Sequence, residues 1–141
     1  MHDLHLAIEE LPAAHDIEFM EQRIIEYNYR AAGAADGRGL NSFVRDQEGT
    51  IVAGITGYTW AGIAEIEFLW VDERLRGRGV GARLLHAVEA EARARGCARI
   101  IVSTYSFQAP GFYQSHGYTV SGQINDCPPG HTNYWLKKEL A

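Results

Sequence analysis

The chain has 141 residues, 46% hydrophobic and 22% charged, with a formal net charge of −5 and two cysteines. That content is too apolar for a disordered chain, and no apolar run approaches the ~18 residues of a membrane span, so we expect one soluble domain over residues 1–141. The opening MHDLHLAIEE has neither a basic leader nor an apolar core and is not read as a secretory signal, while Cys97 and Cys127 lack any metal-like spacing. A cytoplasmic protein without a metal is the expectation.

In chain order, Leu4 to Ile8 alternate as a short strand. From Asp16 to Ala32, Ile17, Met20, Ile24 and Tyr27 recur at helical spacing, with Asp16 as N-cap and Gly33 as stop. Residues Ala31 to Gly39 (AAGAADGRG) read as a loop. Asn41 to Arg45 and Ile51 to Trp60 flank the turn Asp46 to Gly49 as a hairpin, and Ala61-Gly62 turns the chain into a third run, Ile63 to Val71. The period then changes. Val80, Leu84, Leu85, Val88 and Ala92 mark an amphipathic helix over Gly79 to Arg95, closed by Gly96. A buried strand at Ile100 to Val102, a short helix from Pro110 to His116, and strands at Tyr118 to Ile124 and Asn133 to Lys137 complete an α/β order of β-α-β-β-β-α-β-α-β-β.

Charge is unevenly placed. Of the 13 basic residues, seven are the arginines from Arg74 to Arg99. An acidic chain with one arginine-rich stretch argues against nucleic-acid binding and for a local anion site, or else for a solvated helix face. Within that stretch a strand ends near Val71, a glycine-rich turn follows, and a long helix begins. A helix start offers unpaired N–H groups and the positive end of its dipole. Glycines 77, 79 and 81 let a phosphate approach those amides, and Arg74, Arg76 and Arg78 add forked donors; Arg83, Arg93, Arg95 and Arg99 read as solvated or as helix-end partners. A P-loop is excluded because no lysine precedes Lys137. A dinucleotide fold fits the loose pattern Gly77-x-Gly79-x-x-Ala82, but no Asp or Glu occurs between Glu91 and Asp126 to hold a ribose.

Arg76-x-x-Gly79-x-Gly81 resembles the acyl-CoA pyrophosphate loop of the GNAT superfamily of N-acetyltransferases. Val71 to Gly81 (VDERLRGRGVG) is similar to the family's strand, loop and helix start, and Ala109 to Tyr118 (APGFYQSHGY) to its Ala-x-x-Phe-Tyr…Gly-Phe signature. The likeness covers residues 51 to 138; the first fifty match only in layout. It implies a single domain with a central mixed, mostly antiparallel sheet of about six to seven strands flanked by helices. It also implies acetyl transfer from acetyl-CoA to an amine, and homodimers as the common assembly.

The reaction asks for a base, because an alkyl amine with a pKa near ~10.4 is protonated at neutral pH, for an acid to meet the leaving thiolate, and for a donor to the carbonyl oxygen. The resemblance assigns Tyr113 as the acid, against a purely packing role. For the base it points to Glu65 and leaves Glu67 open, both read by strand alternation as sharing a face with Leu69 and Val71. It implies that Leu69, Trp70 and Val71 meet the pantetheine arm and acetyl carbonyl through backbone groups. Arg76, Gly77, Arg78, Gly79, Val80, Gly81 and Ala82 would hold the pyrophosphate, with Ala109 and Phe112 beside them. Many members have an asparagine where this chain has Ser106; serine or Gln108 would take its place. For the acceptor, possible cationic contacts are Glu26, Tyr27, Asn28, Tyr58, Trp60 and His131, each also explicable as core or loop. The rival function is a non-catalytic acyl-CoA sensor or interaction module.

Overall fold

The computed structural model describes residues 4–141, which divide between Ala35 and Asp36 into two units. The first unit holds one helix, α1 (Ala14–Ala32). Ala13 precedes it in an extended conformation without a side-chain cap, so Asp16 is not the N-cap. Asp16 instead lies in the first turn, its N–H donating to the Ala13 carbonyl at 3.0 Å, where its charge still suits the helix dipole. Gly33 closes the helix at φ 69°, as expected. Leu4 to Ile8 form no strand. Alternation supplies a face for a strand, but a strand exists only where a neighbour takes its backbone hydrogen bonds.

The second unit is built on a seven-stranded sheet: β1 (Arg38–Gly39), β2 (Ser42–Arg45), β3 (Ile51–Trp60), β4 (Ile63–Val71), β5 (Arg99–Tyr105), β6 (Thr119–Asn125) and β7 (Thr132–Glu139). The order is β1-β3-β4-β5-β7-β6, with β2 also pairing β3. All pairs are antiparallel except β4 with β5. The hairpins fall where the turn residues put them. Asp46 Oδ1 accepts from the N–H groups of Glu48 and Thr50, closing the first. The two-residue β1 was not anticipated; it lies in the stretch read as a loop and pairs with Tyr58 and Thr59.

Two helices complete the unit, α2 (Val80–Ala94) and α3 (Pro110–Ser115). Leu84, Leu85, Val88 and Ala92 of α2 are buried against Ala53, Ile55, Ala64, Ile66, Ile100, Val102 and Leu136, giving the sheet one core face. Arg95, expected to be solvated or a helix-end partner, caps the end of α2 and is mostly covered. It ties the end of α2 to the sheet by donating to the Gly39 carbonyl at 2.8 Å and to Thr59 Oγ1 at 3.0 Å while pairing with Glu91. Glu89 is buried on the same helix and is neutralised there. It accepts from the Tyr118 hydroxyl at 2.7 Å and from Lys138 Nζ at 3.2 Å.

Candidate active site

The site begins with one extra residue. Thr56 of β3 lies opposite Phe68 and the next residue, Gly57, opposite Ile66, so Glu67 is the unpaired residue of a β-bulge in β4. The bulge reverses the strand's alternation. Ala64 and Ile66 face the core before it; Leu69 and Val71 face the core after it. Glu65 therefore lies on the face opposite Leu69 and Val71, with Phe68 and Trp70, and the expectation that Glu65 shared their face is corrected. A period of two holds only while no residue is inserted.

The bulge also ends the parallel ladder. β4 pairs with β5 only from Ile63–Ile66 to Arg99–Val102. Beyond that the strands part, and a cleft of about 870 Å³ opens between Glu67–Val71 on one side and Val102–Thr104 on the other. Its β4 wall is backbone that no longer bonds to β5, the polar lining a pantetheine amide arm or a thioester carbonyl would use.

One end of the cleft is closed by the glycine loop. Asp72 opens a 3₁₀ turn, Glu73–Leu75, by accepting from the Arg74 N–H at 2.9 Å. Gly79 then takes φ 76° as the N-cap of α2, a conformation costly for any residue with a Cβ, and leaves the first-turn amides of α2 uncapped by a side chain. Arg76, Gly77, Gly79, Val80, Gly81 and Ala82 all line the cleft. Arg76 is steadied by donating from Nε to the Val71 carbonyl at 3.3 Å. Arg74 does not share this duty. It is bound to Asp72 through Nε at 3.0 Å, and holds that carboxyl below its ordinary range. Arg78 lines a separate, smaller hollow with Arg74, Arg45 and Asp46.

On the opposite wall, Ala109, Phe112 and Tyr113 come from α3 and its entry. Tyr113 is only 4% exposed, and burial pushes its hydroxyl up to about 12, so it stays protonated throughout the neutral range. Its ring packs against Phe112 and Tyr118, so the packing role and the place in the cleft belong to one residue. Gln108 lines the cleft too, with Oε1 accepting from the Tyr105 N–H at 2.8 Å and from Thr104 Oγ1 at 3.2 Å. Ser106 is absent from the lining. It exchanges hydrogen bonds with Thr132, its N–H donating to the Thr132 carbonyl and its Oγ accepting from the Thr132 N–H at 3.0 Å. That fixes the turn after β5 to the start of β7.

Of the two glutamates, Glu67 lines the cleft. Glu65 accepts a hydrogen bond from the Tyr58 hydroxyl across the β3–β4 pair. Burial and this bond to a carboxylate raise the Tyr58 hydroxyl to about 12. Trp60 ends β3 and is half-buried, outside the cleft lining; His131 lies in the β6–β7 loop, edge-on to Phe107 at 5.0 Å. Glu26, Tyr27 and Asn28 are in α1 of the first unit, where Glu26 pairs with Arg23 at 3.0 Å. Six cleft residues escaped sequence reasoning: Phe68, Leu75, Val102, Ser103, Thr104 and Phe107. For Phe107 the available signal was a large apolar residue within a polar turn (Ser-Phe-Gln), which no motif covers. No cluster of three or more metal-ligating side chains occurs among the described residues, and none of their helices is long and apolar enough to cross a membrane.

The model of the acetyltransferase (GNAT) family matches residues 4–118. The chain belongs to the GNAT family of acetyltransferases. Among relatives, a blasticidin-S acetyltransferase of Streptomyces morookaense is 43% identical over 95 residues, spanning 67% of this chain and 70% of its own. Acetyltransferase Atu2258 of Agrobacterium fabrum is 32% identical over 117 residues, spanning 83% of this chain and 85% of its own. A crystal structure of an acetyltransferase from Bacillus cereus is 34% identical, covers 94% of this chain and 97% of its own, and superposes with a TM-score of 0.78. As a GNAT protein, the chain has the expected mixed sheet flanked by helices, here with seven strands.

Proposed function

We propose that this GNAT protein transfers the acetyl group of acetyl-CoA to a primary amine of a small molecule or peptide. The observation that carries the reading is a single cleft that joins an uncapped helix start and Arg76 at one end to the protonated Tyr113 and Glu67. The family match runs from residue 4 to 118 across both units, which supports treating residues 1–141 as one acetyltransferase domain.

In this reading the amides of Gly79 to Ala82 and the Arg76 guanidinium bind the pyrophosphate, with Gly77 leaving it room and Arg78 at the loop's outer side. Backbone of Leu69 to Val71 holds the pantetheine and the acetyl oxygen. Glu67 accepts a proton from the ammonium, directly or through water, and the freed amine attacks the thioester carbon. The C–N bond forms, the C–S bond breaks, and Tyr113 protonates the departing thiolate; the amide, the CoA thiol and one proton are the products. Tyr58 and Glu65, with Trp60 and His131, serve the acceptor.

Release of CoA thiol across a panel of amines tests this. Amine-dependent release is expected. Tight acetyl-CoA binding with release no faster than hydrolysis would replace the transferase with an acyl-CoA sensor.

A further inference from the structure

Exposed rings stand where the cleft meets the sheet face opposite α2. Phe107, in the turn after β5, lines the cleft and is 57% exposed. It lies parallel to Tyr105, 3° from coplanar with centroids 5.2 Å apart, and His131 meets it edge-on at 5.0 Å. Val102 and Thr104 of β5 point into the core, so Tyr105 points the other way. Phe68, on the facing wall of the cleft, is turned to the same face by the bulge and is also exposed.

Large exposed rings are costly to keep in water, and these are not loosely held. The Tyr105 N–H is fixed by Gln108, the Ser106 backbone by Thr132, and the His131 carbonyl accepts from the Cys127 N–H at 3.0 Å. A parallel pair of rings that both stay exposed, Phe107 at 57% and Tyr105 at 36%, is a geometry onto which another flat ring stacks. Glu67 of the same cleft supplies a negative charge for an ammonium group.

We infer that the acceptor is a small arylalkyl or heteroarylalkyl amine, its planar ring laid on the Phe107–Tyr105 platform and its ammonium directed toward Glu67. This rests on the transferase reading above and names its substrate class. The pyrophosphate end of the cleft lies on the α2 side, so an acceptor entering from the opposite face approaches the acetyl group without crossing the CoA path.

The test compares phenethylamine, tryptamine and histamine with n-hexylamine, spermidine and glucosamine, using the full chain and acetyl-CoA. Aromatic amines should exceed the aliphatic ones at least tenfold in kcat/KM, about the worth of one well-made stack. Phe107→Leu, which keeps an apolar side chain but removes the ring, should shrink that ratio about tenfold by raising the KM of the aromatic amines. Turnover favouring aliphatic amines in the unaltered protein would overturn this inference alone. So would a ratio that survives both Phe107→Leu and Tyr105→Leu. No turnover with any amine, with acetyl-CoA still bound, would overturn the transferase reading and this inference with it.

Discussion

Gly57 packs so closely on the backbone of Glu65 that a Cβ at position 57 would overlap the Glu65 carbonyl oxygen. This contact sits where the β3–β4 register shifts, so the glycine makes room for the bulge that opens the cleft. Gly57→Ala should therefore destabilise the protein by ~2–3 kcal/mol, because backbone rather than a flexible side chain must move. Urea unfolding would read the loss. An unchanged midpoint would show that β4 shifts freely there.

Tyr113→Phe keeps the ring that fills the core and removes only the hydroxyl. Turnover should fall by about 10²–10⁴-fold, the usual range for a lost general acid, with acetyl-CoA affinity little changed. Steady-state kinetics beside calorimetric titration of acetyl-CoA would separate the two. Undiminished turnover would remove Tyr113 from the chemistry.

Three tyrosines are raised, Tyr113, Tyr58 and Tyr118, the last by burial and its hydrogen bond to Glu89, and they fix a direction for stability at high pH. In the unfolded chain a phenol loses its proton near pH ~10. In the fold, Tyr113 and Tyr58 hold theirs up to about 12. Folded-state values above the unfolded one mean that the stabilisation is complete below pH ~10 and is lost as pH rises from there toward 12. Thermal unfolding followed from pH 8 to 11.5 should show Tm falling steepest above about pH 10. Tyr113→Phe should blunt that fall.

Arg76 is the one arginine of the loop that lines the cleft. Hydrogen bonds to charged groups contribute about 1.5–3 kcal/mol, so Arg76→Ala should raise the KM for acetyl-CoA by roughly 10- to 100-fold. Arg74→Ala should leave it near its original value, since that side chain is committed to Asp72. Equal effects from both would mean that Arg74 releases Asp72 when CoA binds.

The glutamates separate in the same way. Glu67→Gln should lower kcat by about 10²-fold or more, while Glu65→Gln, whose carboxylate is occupied by Tyr58, should act more weakly. A pH–rate profile of each variant would check it. A larger loss at Glu65 would reverse the two roles.

Much of this was legible in the chain itself, and for identifiable reasons. Turn chemistry at Asp46 to Gly49 and Ala61-Gly62 marks the hairpins, the 3.6-residue period marks α2, and the glycine spacing marks the helix start. What escaped depends on pairing partners. The bulge at Glu67 exists only in the register between β3 and β4, so alternation alone put Glu65 on the wrong face. Leu4 to Ile8 alternate without a strand to pair with, and Arg95 is covered by residues 36 and 56 positions away. Ser106 stood at a motif position, but Thr132 claims its hydroxyl from far along the chain.

The four-residue ladder between β4 and β5 has a further consequence, for the order in which the protein assembles. β2, β3 and β4 are joined by short hairpins, as are β6 and β7, and such local pairings close quickly. The parallel join comes only after α2 has crossed over, and it closes the longer loop. The cleft is the seam left by that late docking. Ligand held across it guards the join that is shortest in the sheet's interior.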